Sequence, residues 1–180
     1  MTEGAGLCGP KAVAISAAGR YIKIMEKTVV LVKPDGLQRG LIGEIISRFE
    51  RKGLKLAGIK MVSLTDEILD DWYVHHKDKD FFPRVKVFMK WTPIVAMVWE
   101  GYKVIEVVRR IVGERKGYEA EARSIRGDFG LSGGLNIVHA SDSEENAKRE
   151  IGLMFNKEEI FEYDSLVEEL IYDEEEKPRK

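Results

Sequence analysis

His139 is the residue best placed in this sequence to act as a nucleophile or proton carrier. It ends the apolar stretch Asn136-Ile137-Val138-His139 and is followed by Ala140-Ser141-Asp142-Ser143. Ser141 and Glu144 have the spacing of a capping box, which predicts a helix starting there. The imidazole would then lie beside free backbone N–H groups and the positive end of a helix dipole, a setting that binds phosphate well. A histidine at a strand end can equally be structural. Glu150, on the same predicted helix, is three residues from Ala147 and next to Ile151, so it flanks the apolar stripe. A carboxylate there needs a partner. It could orient an imidazole; a surface salt bridge would account for it as well. The other histidines, His75 and His76, occupy adjacent positions of a predicted helix. Their side chains point apart and cannot jointly hold a metal.

Cationic side chains supply the second half of a possible anion site. Lys33 stands at the end of the first strong strand, before the turn signal Pro34-Asp35-Gly36. A lysine projecting from a rigid element suits a phosphate. Arg126 sits beside Gly127 in a long Gly-punctuated loop, and Arg109 is near the end of the preceding helix. Together the three could neutralise a polyphosphate, although each alone reads as a solvated charge. The pattern G-x-x-x-x-G-K-[ST] is absent, which excludes a P-loop mechanism.

The elements that must position these groups alternate between strand and helix. Thr28–Val32 is a continuous β-branched apolar run and predicts a buried strand. Leu41–Arg51 is predicted as a helix stopped by Lys52-Gly53. Leu54–Leu64 alternates as a strand. Asp66–His76 has helical spacing with Thr65 as N-cap, and Phe81–Trp91 is a further short helix. Pro93–Glu100 reads as a central strand and Val104–Val112 as a helix. Glu114–Leu135 is a loop of the length that usually carries function. Asn136–His139 is a short last strand, and Glu144–Phe155 the helix that follows. The order fits a ferredoxin-like βαββαβ plan, an α/β sandwich with a four-stranded antiparallel sheet and helices on one face. Residues 1–24 carry no clear period and are set apart as an extension of unknown role. Residues 25–180 form the domain, with a charged tail over 173–180.

Composition bounds the partners. The chain has 180 residues, 44% hydrophobic and 33% charged, which suits one globular domain. A net charge of −2 gives no global basic field for nucleic acid. A single cysteine, Cys8, excludes an intrachain disulfide. No apolar run approaches the ~18–20 residues of a membrane span. Lys11–Gly19 is too short and wrongly flanked for a signal peptide. A cytoplasmic protein is expected.

Taken together, KPDGLQRGLIGEIISRFERKG, FFP, VAMVWEG, SIRGDFG and NIVHASDS resemble the nucleoside diphosphate kinase family in order and spacing, from about Glu26 to Tyr172. NIVHASDS is the most specific, because it matches the segment holding the family's phosphorylated histidine. The resemblance implies transfer of the terminal phosphoryl group of a nucleoside triphosphate, typically ATP, to a nucleoside diphosphate. It implies a ping-pong route through His139, with Glu150 and Ser141 orienting that ring. Lys33 and Tyr73 match residues near the transferred phosphate, and Lys33 also reaches toward the ribose hydroxyl. Arg109 and Arg126 match phosphate-binding arginines, Asn136 the reader of the 3′-hydroxyl, and Phe81 the aromatic that stacks on the base. Mg²⁺ held mainly by nucleotide phosphates and a homohexamer, or a tetramer, are implied as well.

Three positions depart from the family pattern. Arg115 replaces a phosphate-binding Thr and is expected to meet phosphate itself. Gly117 replaces a Pro, which predicts a looser loop and a weaker subunit contact. Gly133 replaces an apolar clamp on the base. Two other readings remain open from sequence: a non-catalytic nucleotide-binding regulatory domain, and an oligomeric scaffold or nucleic-acid binder, against which the net charge argues.

Overall fold

The structure is a computed structural model that describes residues 13–15, 21–23, 25–74 and 77–173, with side chains from residue 25 onward. The first strands, β1 (Val13–Ile15) and β2 (Tyr21–Lys23), pair antiparallel as a separate two-stranded sheet. The expectation that residues 1–24 lack a strand period is therefore corrected at these two triplets. Their residues are too few for periodicity to register.

The main sheet contains β3 (Glu26–Val32), β4 (Lys55–Val62), β5 (Ile94–Gly101) and β6 (Val138–Ala140), ordered β4-β5-β3-β6. All three pairings are antiparallel, which is the ferredoxin-like topology. β3 and β5 are central, and the runs Val29–Val32 and Ile94–Trp99 within them are continuously apolar and buried, so they must be covered on both faces. Here the structure goes beyond the single helical layer expected. One face carries α2 (Ile42–Arg51), α5 (Val104–Val112) and α6 (Ile125–Phe129) over Val30, Val32, Met97 and Trp99. The other carries α3 (Asp66–Trp72), α4 (Phe82–Met89) and α7 (Glu144–Met154) over Val29, Leu31, Ala96 and Val98.

Helix starts follow local chemistry. Thr65, Ser124 and Ser143 accept from the N–H of Ile68, Gly127 and Asn146 at 3.3, 3.0 and 3.2 Å. Caps of this kind contribute about 0.5–2 kcal/mol each. Ser143 rather than Ser141 caps α7, so the Ser141–Glu144 capping box is corrected; Ser141 is still within the sheet's hydrogen bonding. The Pro34-Asp35-Gly36 turn opens a short helix, α1 (Pro34–Gln38), because Pro at its first position needs no N–H partner. The loop over 114–135 contains a 3-10 turn at Gly117–Glu119 as well as α6. The helix predicted to His76 ends at Trp72, and His75 and His76 lie outside the described residues. A last helix, α8 (Leu166–Ile171), precedes the tail, whose residues 174–180 also lie outside them.

Candidate active site

His139 faces Leu31 in the β3–β6 ladder. Strand alternation sends its neighbours Val138 and Ala140 into the α2–α5 core and turns the imidazole to the opposite side. There Trp72 of α3 packs edge-on, with ring centroids 5.2 Å apart and planes at 73°. From α7, Glu150 reaches the ring: Nε2 lies 3.0 and 3.1 Å from its two carboxylate oxygens. Glu150 is 5% exposed and belongs to the buried stripe Ala147–Glu150–Met154, more deeply set than its flanking sequence position suggests. Ser141 Oγ donates to the same carboxylate at 2.6 Å and accepts from the Val29 N–H at 3.3 Å. An ionised carboxylate only accepts, so a neutral ring beside it carries its proton on Nε2 and keeps the Nδ1 lone pair.

Asn136 and Lys33 form a second cluster. The Asn136 amide N–H groups go to the carbonyls of Arg115 at 2.8 Å and Gly133 at 3.1 Å. That fixes Oδ1 toward Lys33, whose Nζ donates to it at 2.6 Å. Burial lowers the Lys33 pKa to about 8, reinforced by the charges of Arg126 and then Arg115, and opposed by Asp35. Arg126 is lowered to about 10, first by burial and then by Arg109 and Arg115. Two arginines beside one buried amine, with Arg109 next to Arg126, favour an anion among them.

Arg126 is tied down more firmly than an anion-binding side chain needs to be. Its guanidinium donates to the carbonyls of Gly113 at 2.8 Å, Val138 at 2.8 Å and Asn136 at 3.3 Å. Each terminal nitrogen retains a further N–H. Arg109 and Arg115 are exposed at the margin. Tyr73 follows α3 and is pushed up to about 12, by burial first and then by the Glu150 carboxylate, so its hydroxyl stays a proton donor. It also meets Phe82 edge-on at 6.0 Å. Phe81, which precedes Phe82 in the chain, is 39% exposed.

Two participants carry no functional signal in the sequence. Trp72 shows only the helical spacing of an apolar residue. Asp35 belongs to a turn signal, yet its Oδ2 accepts from the Ile137 N–H at 3.0 Å. Ile137 has φ of 71°, and the Val138 N–H returns to the Asn136 carbonyl at 2.8 Å. This is a γ-turn of the rare, strained, positive-φ kind, centred on a β-branched residue. The x-Asp-Gly signal identifies a turn but not its partner 102 residues away. The expected loosening at Gly117 is also corrected. Gly117 is buried against the backbone of Gly130, and any Cβ would collide there.

Residues 26–160 match the family described as Nucleoside diphosphate kinase. The chain belongs to that family. A nucleoside diphosphate kinase of Parabacteroides distasonis is 53% identical over 140 residues, covering 78% of this chain and 92% of that one. One from Archaeoglobus fulgidus is 49% identical over 150 residues, covering 83% and 99%. Among solved structures, the nucleoside diphosphate kinase of Halobacterium salinarum, in complex with CDP, superposes with a TM-score of 0.81 at 40% identity over 83% of this chain and 100% of its own. The family protein from Babesia bovis gives 0.79 at 46% identity, over 82% and 99%. Membership makes the chain a phosphotransferase acting between nucleoside triphosphates and diphosphates.

Proposed function

We propose that the reaction proceeds in two half-reactions through a phosphohistidine at His139. The observation that carries this reading is the Glu150 carboxylate set against Nε2, an arrangement that favours the tautomer with a free Nδ1 lone pair. Nδ1 attacks the γ-phosphorus of the donor, the bond to the β–γ bridging oxygen breaks, and the nucleoside diphosphate departs with that electron pair. The ring becomes cationic, and the Nε2–H bond to Glu150 strengthens as it does. A second nucleoside diphosphate then takes the phosphoryl group by the reverse steps.

In this reading Lys33, Arg109, Arg115 and Arg126 counter phosphate charge, and Tyr73 donates a hydrogen bond near the transferred group. Asn136 with Lys33 meets the ribose hydroxyl, and Phe81 stacks on the base. Stacking accepts any base, which fits use of several nucleotides. The complex of the halophilic relative with CDP supports a nucleoside diphosphate as ligand.

Mg²⁺ fits as a companion of the substrate. Both Glu150 oxygens already face His139 and Ser141, and the remaining Asp35 oxygen is buried, so phosphate oxygens would be its main ligands. When bound it supplies positive charge to those oxygens.

Residues 25–180 form the catalytic domain, since every site residue falls there, and 1–24 is an appendage. Copies of the chain assemble as a hexamer, or a tetramer; exposed Ile59 and Met61 on the edge strand β4, at 48% and 62%, suit such contact. Among the described residues no helix is long and apolar enough to cross a membrane, and a cytoplasmic location goes with this reading. Initial rates with ATP and a second nucleoside diphosphate test the scheme. Parallel double-reciprocal lines are expected; intersecting lines would mean direct transfer in a ternary complex.

A further inference from the structure

The segment just before His139 is held in a conformation its own sequence does not favour. Isoleucine is β-branched and disfavours positive φ, yet Ile137 sits at 71° and is almost wholly buried. Such a residue persists only when its surroundings over-determine it.

Those surroundings can be named. The Ile137 carbonyl accepts from the Lys33 N–H at 2.8 Å, and its N–H donates to Asp35 Oδ2 at 3.0 Å. Gly36 completes the grip: a Cβ there would lie 2.9 Å from the Ile137 carbonyl oxygen, so only glycine lets α1 approach this closely. Arg126 holds the carbonyls on either side, those of Asn136 and Val138. The Ile137 N–H is thus held by one side chain alone. The other Asp35 oxygen is buried without a hydrogen-bond partner among the described residues, and its charge acts on Lys33.

The two residues flanking this turn do different work. Asn136, on one side, fixes Lys33; His139, two residues beyond on the other, presents Nδ1. We propose that Asp35 is a positioning residue for phosphoryl transfer: by holding the Ile137 γ-turn it sets the distance and angle between the Lys33–Asn136 pair and the His139 ring. The proposal rests on His139 being the phosphoryl carrier.

Asp35 has two separable properties, a hydrogen-bond acceptor for Ile137 and a negative charge beside Lys33. Asp35→Asn keeps the first and loses the second, and Asp35→Ala loses both. The full-length chain and both variants are mixed with ATP and Mg²⁺, and the rate of phosphate appearance on His139 is followed in single turnovers at saturating ATP. Backbone amide exchange at Ile137 is read in parallel. Loss of a charge-assisted hydrogen bond at a site where geometry sets the rate lowers phosphorylation on the order of 10–100-fold in Asp35→Ala. Asp35→Asn stays within about threefold. The Ile137 amide is protected in the native chain and in Asp35→Asn, and exchanges readily in Asp35→Ala. Both variants lose the charge and shift the basic limb of the pH–rate profile downward alike, which separates that effect from the turn. An Asp35→Ala chain with native phosphorylation rate, or an Asp35→Asn chain as impaired as Asp35→Ala, overturns the proposal. A native chain that takes no phosphate onto His139 overturns the reaction scheme instead, and Asp35's role in transfer falls with it, whatever the exchange data say of the turn.

Discussion

Replacing Glu150 by Gln changes one atom and should nearly stop the reaction. Ser141 has one proton, which goes to Glu150 at 2.6 Å, and its acceptor side takes the Val29 N–H. In Glu150→Gln the side-chain carbonyl oxygen must therefore face Ser141, or that hydroxyl loses its acceptor in a buried site. That oxygen takes the place of Oε2, which lies 3.0 Å from His139 Nε2, and the carboxamide NH₂ takes the place of Oε1, 3.1 Å from the same nitrogen. The Nε2 proton then meets one neutral acceptor and one N–H donor in place of two carboxylate oxygens, so the tautomer with a free Nδ1 lone pair is disfavoured. Turning the amide instead leaves Ser141 and the amide mismatched, at ~1–3 kcal/mol for an unsatisfied buried group. The disfavoured tautomer and the lost support for imidazolium together predict a fall of about two orders of magnitude in the rate of His139 phosphorylation. Single-turnover phosphorylation measures the rate, and imidazole ¹⁵N shifts report which nitrogen carries the proton. Trp72, edge-on to the ring, serves as an internal fluorescence monitor that the fold is kept. A Glu150→Gln chain within about fivefold of the native rate would refute the tautomer argument.

Further outcomes follow from the same structure. With Lys33 titrating at about 8 in the folded state and near 10.4 when unfolded, nucleotide affinity should fall as pH rises through about 8, and binding near that pH should take up a proton. This is measurable by titration calorimetry in buffers of different ionisation enthalpy. The depressed value also gives stability that is fully present above the unfolded pKa and is lost as pH falls through about 8, visible as a denaturation midpoint that rises over that interval. A chain beginning at Met25 should keep its activity; loss of activity would place the leader at the site or at an interface. Arg115→Ala should weaken ADP binding by on the order of tenfold, as expected for one charged phosphate contact, and unchanged affinity would return Arg115 to solvent. Gly117→Pro should lower thermal stability rather than tighten the assembly, because Gly117 packs on the Gly130 backbone.

Much of the scaffold was legible because its signals are local. The helix over Val104–Val112 has the observed bounds, and the apolar runs of β3 and β5 were clear strands. Continuous burial in those runs already implied covering on both faces, which the single-layer expectation overlooked. α6 was hidden because five residues punctuated by glycine show no helical period, with Ser124 as its only local mark. Ser141 and Ser143 both offer cap chemistry, and only the sheet hydrogen bonds of Ser141 decide between them. At the site, the spacing of His139 and Glu150 left a surface salt bridge open for Glu150, and only the family resemblance pointed to their pairing. The positive φ of Ile137 was not legible, since its residue type favours extended backbone and the compensation comes from Asp35, distant in sequence.

The central claim is that the phosphoryl group rests on His139 between donor and acceptor. Incubating the full-length chain with γ-labelled ATP and Mg²⁺, removing nucleotide, and mapping the label by mass spectrometry under alkaline conditions tests it most directly. The expected result is an acid-labile phosphate on His139 that is discharged by added nucleoside diphosphate, and no label in His139→Gln. Label on another residue, or turnover persisting in His139→Gln, would contradict it.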